Sequence, residues 1–352
     1  MSDEKKIIFI VGNSRSGTTM LGRVFNNHSQ VYTFGELHFF EQIVSRAEIN
    51  KNQVRPDSKL LLMLERLLTS SRDSLFSKVV KNKYREEAKN ILTLTKQRDA
   101  LSIYKLFLQY ETRLNRKLIP CEQTPRYLFS TSEILGNIKE AKVINLIRDP
   151  RAVLLSQKNK WRRRFLGASN IPLLEAFRSW VNYHPYTIAK LWVSSVNESD
   201  RLQNNRNFIS IHFEDLLTDP EKNVETLCRF VDLEFEQEML NVPQVGSSFG
   251  IDNPEKKGIN PNRMLSWDNG KLSALEIAIC QKVAAKQMKR LGYTLKQVNV
   301  PKWRIVFSIM NFGFKISLSL ILNLKRSKNI LQSIMRRLIS SREVSNGCSS
   351  RS

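Results

Sequence analysis

The chain has 352 residues, 41% of them hydrophobic, and carries 56 Lys and Arg against 33 Asp and Glu, for a formal net charge of +23. That apolar content can bury one large core or two small ones, which describes an ordinary globular protein with an unusual charge. The charge favours polyanionic partners such as nucleic acid, an acidic lipid surface or a multiply phosphorylated cofactor, and the lack of any RNA- or DNA-binding motif argues against specific nucleic-acid binding.

Four cysteines, Cys121, Cys228, Cys280 and Cys348, are scattered without paired spacing. Such spacing fits reduced thiols rather than a disulfide framework or a zinc site, so a reducing, cytoplasmic setting is expected. The N-terminus runs from Met1 to Lys6 into the apolar stretch Ile7 to Val11, too short for the core of a signal peptide. That stretch is a continuous, largely β-branched run closed by Gly12, as expected of a central parallel strand covered on both faces.

Ser16 to Asn27 then reads as a helix with Leu21, Val24 and Phe25 on one face. A further strand is expected before Glu36. From about Ser58 to Leu118 the apolar spacing is helical and the polar residues strongly charged, which marks a helical insertion spanning about residues 45–118. Strands are expected at Lys142–Ile147 and Asn207–Phe213, each followed by a helical pattern, and Asp219-Pro220-Glu221 opens another helix with Val224, Leu227, Phe230 and Val231 at core spacing. Strands alternating with helices imply a parallel α/β sheet. Between Pro243 and Lys271 the richness in Gly, Pro, Asn and Lys predicts a long loop. The apolar stretch Ile305–Leu324 is interrupted by Asn311 and Lys315 and followed by Lys325-Arg326-Ser327-Lys328 and Arg336-Arg337. It reads as a basic amphipathic segment lying on an anionic membrane, with a plain docking helix as the alternative.

The segment Gly12-Asn13-Ser14-Arg15-Ser16-Gly17-Thr18-Thr19 joins the first strand to the first helix. A strand, a glycine-bounded turn and a helix that starts on hydroxyl residues form an anion site, because unpaired backbone N–H groups and the positive helix end converge there. A nucleotide-hydrolysing P-loop needs Lys directly after the second glycine, and Thr18 occupies that position. The cation sits two residues before Gly17 instead, as Arg15. Further on, Asn145-Leu146-Ile147-Arg148-Asp149-Pro150 leaves a strand into a helix, placing Arg148 at the strand's carboxyl end and Ser156 two helical turns later, where both can face one anion.

These two segments resemble the PAPS-dependent sulfotransferase superfamily (PAPS, 3'-phosphoadenosine-5'-phosphosulfate), whose cofactor turn is a basic residue followed by Ser/Gly-Gly-Thr and whose 3'-phosphate site is an Arg and a Ser eight residues apart. The resemblance implies that Arg15 binds the bridging and sulfuryl oxygens, that Ser16, Gly17, Thr18 and Thr19 hold the 5'-phosphate, and that Arg148 and Ser156 hold the 3'-phosphate. Lys256-Lys257-Gly258, followed by Arg263 and Trp267, resembles the late basic loop over the same phosphate, with Lys-Lys-Gly for the usual Arg-Lys-Gly.

Sulfuryl transfer to a hydroxyl needs in-line placement, neutralisation of the leaving oxygen and a base for the acceptor proton. Glu36-Leu37-His38-Phe39-Phe40-Glu41 follows the second strand and returns to the edge of the sheet where ligands of such folds bind. The pattern is similar to the Glu-x-His-Phe-Phe-Asp segment of heparan-sulfate glucosaminyl sulfotransferases, which implies Glu36 as general base with His38 and Glu41 assisting. Cys121-Glu122-Gln123-Thr124-Pro125-Arg126-Tyr127 resembles the family's Glu-Lys-Thr-Pro segment along the acceptor cleft, with Gln123 for the usual Lys and Arg126 as a nearby cation.

The resemblance covers about residues 6–295. It implies one α/β domain over 1–295, a P-loop-like parallel sheet flanked by helices with a helical acceptor-binding insertion; residues 296–352 fall outside it and read, from their basic pattern, as a helical extension. The expected activity is PAPS-dependent sulfation of a carbohydrate or lipid-linked hydroxyl on the cytoplasmic side, without a metal, and with the tail on the inner membrane face. A P-loop kinase or other NTPase, and a non-catalytic polyanion- or membrane-binding protein, remain open on the sequence alone.

Overall fold

The computed structural model describes residues 6–45, 48–49, 53–73, 82–166, 171–244, 253–261, 267–269, 271–308 and 310. Arg263, Cys348 and the expected basic tail beyond 310 lie outside the described residues.

Strand β1 (Ile7–Gly12) is buried at every position. Its side chains alternate between faces, as a pleated strand requires: Ile7, Phe9 and Val11 enter one apolar cluster, and Ile8 and Ile10 enter another. On the second face pack α1 (Thr18–Asn26), which follows the turn, and the later helix α10 (Pro220–Phe230). The first face is covered by three helices of the insertion, α2 (Asp57–Arg72), α3 (Arg85–Thr93) and α4 (Ala100–Leu114).

The sheet has five parallel strands in the order β2 (Val31–Phe34), β3 (Ile119–Gln123), β1, β4 (Ala141–Ile147) and β5 (Phe208–His212). Parallel pairing puts every strand's carboxyl end at one edge, where the loops after β1, β2, β3 and β4 meet. Strand β3 is not expected from the sequence, because Pro120 within it and the polar Glu122 and Gln123 at its end hide the strand pattern. Gly12 is required where β1 meets β4, since a Cβ there would stand 2.6 Å from the Leu146 carbonyl oxygen.

Beyond β4 come α6 (Pro150–Lys158), preceded in the chain by α5 (Thr131–Asn137), then a short 3₁₀ turn over Lys160–Phe165, α7 (Leu173–Val181) and α8 (Pro185–Leu202). Asp149 caps α6 through the Arg151 N–H at 2.8 Å, with Pro150 in the first turn as expected. Helix α9 (Phe213–Thr218) follows β5 directly, and α11 (Ala274–Arg290) packs on α8. The expected loop from Pro243 to Lys271 instead contains an antiparallel pair, β6 (Pro243–Gln244) and β7 (Asn253–Lys257). Gly258 closes it by donating its N–H to the Val242 carbonyl at 2.8 Å. The cysteines Cys121, Cys228 and Cys280 are buried free thiols, and among the described residues no helix is long and apolar enough to cross a membrane.

Candidate active site

The turn after β1 is held open by two left-handed residues, Arg15 at φ 74° and Gly17 at φ 102°. A side chain at Gly17 would drive into the Phe213 ring, 2.3 Å from where its Cβ would lie. Gly17 is also the N-cap of α1 and offers no side-chain cap, so the leading N–H groups of the helix face the turn. Ser16 is fully buried there, and its hydroxyl oxygen has no hydrogen-bond partner. Thr18 is tied to the sheet, since Gln123 Nε2 donates to its hydroxyl at 3.1 Å.

Over this turn the second segment closes. Arg15 Nε donates to Ser156 Oγ at 2.9 Å, and Arg148 Nη1 donates to the Arg15 carbonyl at 3.1 Å. Arg148 is positioned from both sides: its guanidinium lies 4.4 Å from the centre of the Phe213 ring, and its carbonyl accepts from Trp192 Nε1 at 2.8 Å. Burial, then repulsion from Arg163 and Arg148, pushes the Arg15 guanidinium down to about 10, with Glu36 the attraction that opposes them. The residues at this mouth are therefore mutually repelling cations, the electrostatic setting in which an added polyanion is stabilised.

Across from the cations stands a carboxylate–imidazole group. His38 lies between two carboxylates, with Nε2 3.2 Å from Glu36 Oε2 and Nδ1 3.1 Å from Glu41 Oε2. Burial works against a charged imidazole, but hydrogen bonds and attraction from Glu36 and Glu41 outweigh it and raise His38 to about 9. Glu36 responds oppositely. Burial disfavours its charge, but the hydrogen bond to His38 and the charges of His38, Lys160 and Arg126 hold it below the ordinary carboxylate range. Its side chain remains 39% exposed, so the carboxylate is reachable from solvent. Arg126 reaches Glu41 at 3.9 Å. His38 adopts φ 54°, and the following Phe39 and Phe40 lock the bend into an aromatic cluster, Phe39 stacking on Tyr104 at 4.0 Å.

Behind this group sits the Glu of the Glu122-Gln123-Thr124-Pro125 segment. Glu122, at the end of β3, is fully buried; its Oε1 accepts from the Leu37 N–H at 3.2 Å and from Thr124 Oγ1 at 2.6 Å. Burial pushes its carboxyl up to about 8. Lys160 and Arg163 are site neighbours that the pattern does not single out; the run Lys160-Trp161-Arg162-Arg163-Arg164 is the available signal.

The structure thus brings together Arg15, Ser16, Gly17, Arg148 and Ser156, with Glu36, His38, Glu41 and Arg126 as a second group and Gln123 linking β3 to α1. Thr19 is exposed in the first turn of α1. Lys256 and Lys257 are exposed on β7, whereas the cluster around Arg148 is buried. Trp267 is buried against Arg151, whose guanidinium lies 3.8 Å from the ring centre, and Arg151 in turn pairs with Asp149 at 2.7 Å. Among the described residues no cluster of three or more His, Cys, Asp or Glu has the arrangement of a metal site.

A family model described as the sulfotransferase family matches residues 8–237, which contain β1 from Ile8 on, the turn and both groups of charged residues. The chain belongs to the sulfotransferase family. Its fold agrees: the structure is similar to the sulfotransferase domain from the curacin biosynthetic pathway, with a TM-score of 0.51 at 21% identity, covering 83% of this chain and 99% of that domain. Among curated relatives, the chain is 28% identical over 152 residues to sulfotransferase 2A1 of Macaca fascicularis, covering 42% of this chain and 48% of the relative. It is 27% identical over 142 residues to sulfotransferase 2A1 of Homo sapiens, covering 39% and 45%. The chain therefore spans about half the length of the curated relatives it matches.

Proposed function

We propose that the chain transfers a sulfuryl group from PAPS to an acceptor hydroxyl, with a carbohydrate or glycolipid as acceptor. The observation that carries the reading is the closure of the second segment on the first, Arg15 on Ser156 and Arg148 on the Arg15 backbone. Two distant parts of the chain so bring basic and hydroxyl groups side by side, as a nucleotide phosphorylated at both the 3' and 5' positions of its ribose demands.

The residues fit that ligand. The buried Ser16 hydroxyl lacks a partner, the α1 N-terminus carries no side-chain cap, and Arg163 and Arg148 repel Arg15, so an added anion is favoured there. Ser16, Gly17, Thr18 and Thr19 would hold the 5'-phosphate, Arg148 and Ser156 the 3'-phosphate, with Lys256 and Lys257 as the outer basic strand and Gly258 just after it. When bound, PAPS supplies an activated sulfuryl group.

The chain's own residues supply the rest. Arg15 neutralises charge on the leaving oxygen. Glu36 accepts the proton of the acceptor hydroxyl at its solvent-reachable carboxylate, and it is ionised at neutral pH because His38, Lys160 and Arg126 hold it so. His38, itself protonated and held by Glu41, orients Glu36 and carries no lone pair free to take that proton. Gln123 and Arg126 line the acceptor side below the insertion helices, Gln123 fixing Thr18 and Arg126 supplying positive charge where the usual Lys is absent.

The test compares thermal stabilisation by 3',5'-ADP with that by ATP and magnesium. The protein should be stabilised by 3',5'-ADP, Arg148→Ala should lose roughly tenfold to a hundredfold in affinity for it, as expected of one or two charge-assisted contacts, and Glu36→Gln should keep it. Stabilisation by ATP alone would overturn the reading. With an acceptor in hand, Glu36→Gln should lose roughly a hundred- to ten-thousand-fold in turnover, and near-normal turnover would remove Glu36 from the role of base.

A further inference from the structure

Helix α7 is amphipathic in the reverse sense. A helix on a globular surface turns its apolar stripe inward, yet here Leu173 (63% exposed), Leu174, Phe177 (48%) and Trp180 face outward, while only Ala176 and Val181 are buried. The spacing of the four places them on one side of the helix. The rings of Phe177 and Trp180 already stack, 6.0 Å apart and 26° from parallel, so the outward surface is an ordered one.

Two neighbours extend the face. The 3₁₀ turn that packs against α7 presents Phe165 outward, with Trp161 edge-on to it at 6.2 Å, between the cations Lys160, Arg162, Arg163 and Arg164. Residues 302–308 are also helical and carry exposed Trp303 (66%), Val306 and Phe307, with Lys302 and Arg304 on either side of Trp303. The last turn of this helix comes close to the end of α7, since His184, three residues past Val181, lies with Nε2 3.3 Å from the Ser308 carbonyl oxygen.

We propose that α7, the Lys160–Phe165 turn and the 302–308 helix together form a surface that docks on an anionic lipid bilayer. Isolated apolar residues on a surface need no explanation, but contiguous ones rimmed by charge do. Outward Leu and Phe at the centre, Trp near the rim and Lys or Arg around them is the composition of an element lying in a membrane interface, with the apolar side chains in the acyl boundary and the cations on acidic headgroups. An acidic protein would answer the cations but leave the apolar centre unfilled, and a second copy of a chain with net charge +23 would meet its own cations. The same turn faces the site on its other side, where Arg163 repels Arg15 and Lys160 attracts Glu36. A docked bilayer would so lie next to the acceptor side. The surface goes beyond the proposed transfer reaction: it shares Lys160 and Arg163 with the site, but its apolar residues have no role in that reaction.

The test sediments the full-length protein with vesicles of phosphatidylcholine, alone or mixed with phosphatidylserine, beside the double variant Leu173→Ser/Phe177→Ser. The wild type should bind the mixed vesicles and leave them as salt is raised. The variant should partition on the order of tenfold less while its thermal melt and its response to 3',5'-ADP stay as in the wild type. Equal partitioning of variant and wild type, or no wild-type binding to the mixed vesicles, overturns the proposal. Two other outcomes also overturn it: wild-type dimers in sedimentation velocity that the variant lacks, which assign the face to a second copy, and a lowered melt of the variant without lipid, which assigns it to the chain itself. Failure on lipid with an intact 3',5'-ADP response leaves the transfer reading standing, so the two ideas fail separately.

Discussion

His38 gives the sharpest test of the carboxylate–imidazole group. The imidazole is buried between Glu36 at 3.2 Å and Glu41 at 3.1 Å, and its affinity for a proton rises from 6.5 to about 9. A tenfold gain in proton affinity is worth about 1.4 kcal/mol, so the charged imidazole contributes about 3 kcal/mol at most to stability. Because the folded-state value lies above the unfolded one, that contribution is complete below about pH 6.5 and is lost as pH rises through about 9. Urea unfolding of wild type and His38→Gln across this window should therefore show a stability difference that shrinks by about 2–3 kcal/mol from pH 6 to pH 10. Nuclear magnetic resonance of the imidazole supplies the direct reading, as His38 should stay protonated well above neutrality. A stability difference that ignores pH, or a His38 resonance that titrates near its ordinary value, would refute the reasoning. It would also free the imidazole to act as the base and take that task from Glu36.

Three further outcomes are expected. Gly17→Ala combines a φ of 102° with a Cβ 2.3 Å from the Phe213 ring, so it should cost about 1–3 kcal/mol for the backbone strain alone and abolish stabilisation by 3',5'-ADP; a wild-type melt and response would sink the account of the turn. Glu122, raised to about 8, stabilises the fold fully only below the ordinary carboxylate range, and wild type loses that stability as pH rises through about 8; Glu122→Gln, which has no charge to bury, should overtake it at pH 9, and urea unfolding that still ranks wild type clearly above the variant there would count against a buried neutral acid. Arg163→Ala removes a repulsion on Arg15, so the melt without ligand should rise while the stabilisation produced by 3',5'-ADP shrinks; the opposite pair of changes would show that Arg163 is held by other groups than the site.

The parts of this arrangement that sequence could reveal are those set by local pattern. Ile7 to Val11 reads as a doubly covered strand because nothing polar interrupts it, and all of β1 is buried. Pro150 and Asp149 mark the start of α6 because cap chemistry is local. Strand β3 escapes because its role is tertiary: Pro120 is tolerated between β2 and β1, Glu122 is spent on the Leu37 N–H and Gln123 on Thr18, none of which spacing can announce. The β6–β7 pair escapes for a related reason, since Gly, Pro and Asn say loop and only the return of Gly258 to Val242 makes a hairpin. In the basic run after α6 every cation looks alike. Which one faces Arg15 is decided by the 3₁₀ turn that carries Arg163 back toward the sheet.

The two charged groups explain each other's geometry. Of the five non-glycine residues with positive φ among those described, Arg15 and His38 are two, and each anchors one group. Such backbone costs on the order of 1–3 kcal/mol and persists only where surrounding contacts enforce it. Here the enforcing contacts are visible: Ser156 and Arg148 on Arg15, Glu36 and Glu41 with the Phe39–Tyr104 stack on His38. In both places the bend turns a charged side chain out of the sheet edge instead of along it. Arg15 is held where its charge is least comfortable, down at about 10, while Glu36 is held where its charge is favoured. A site meant only to retain a polyanion has no use for the second group, because a stabilised carboxylate beside the cations weakens anion binding. Keeping both, a frustrated cation and a secured carboxylate at one mouth, fits the proposed transfer of a sulfuryl group onto a hydroxyl.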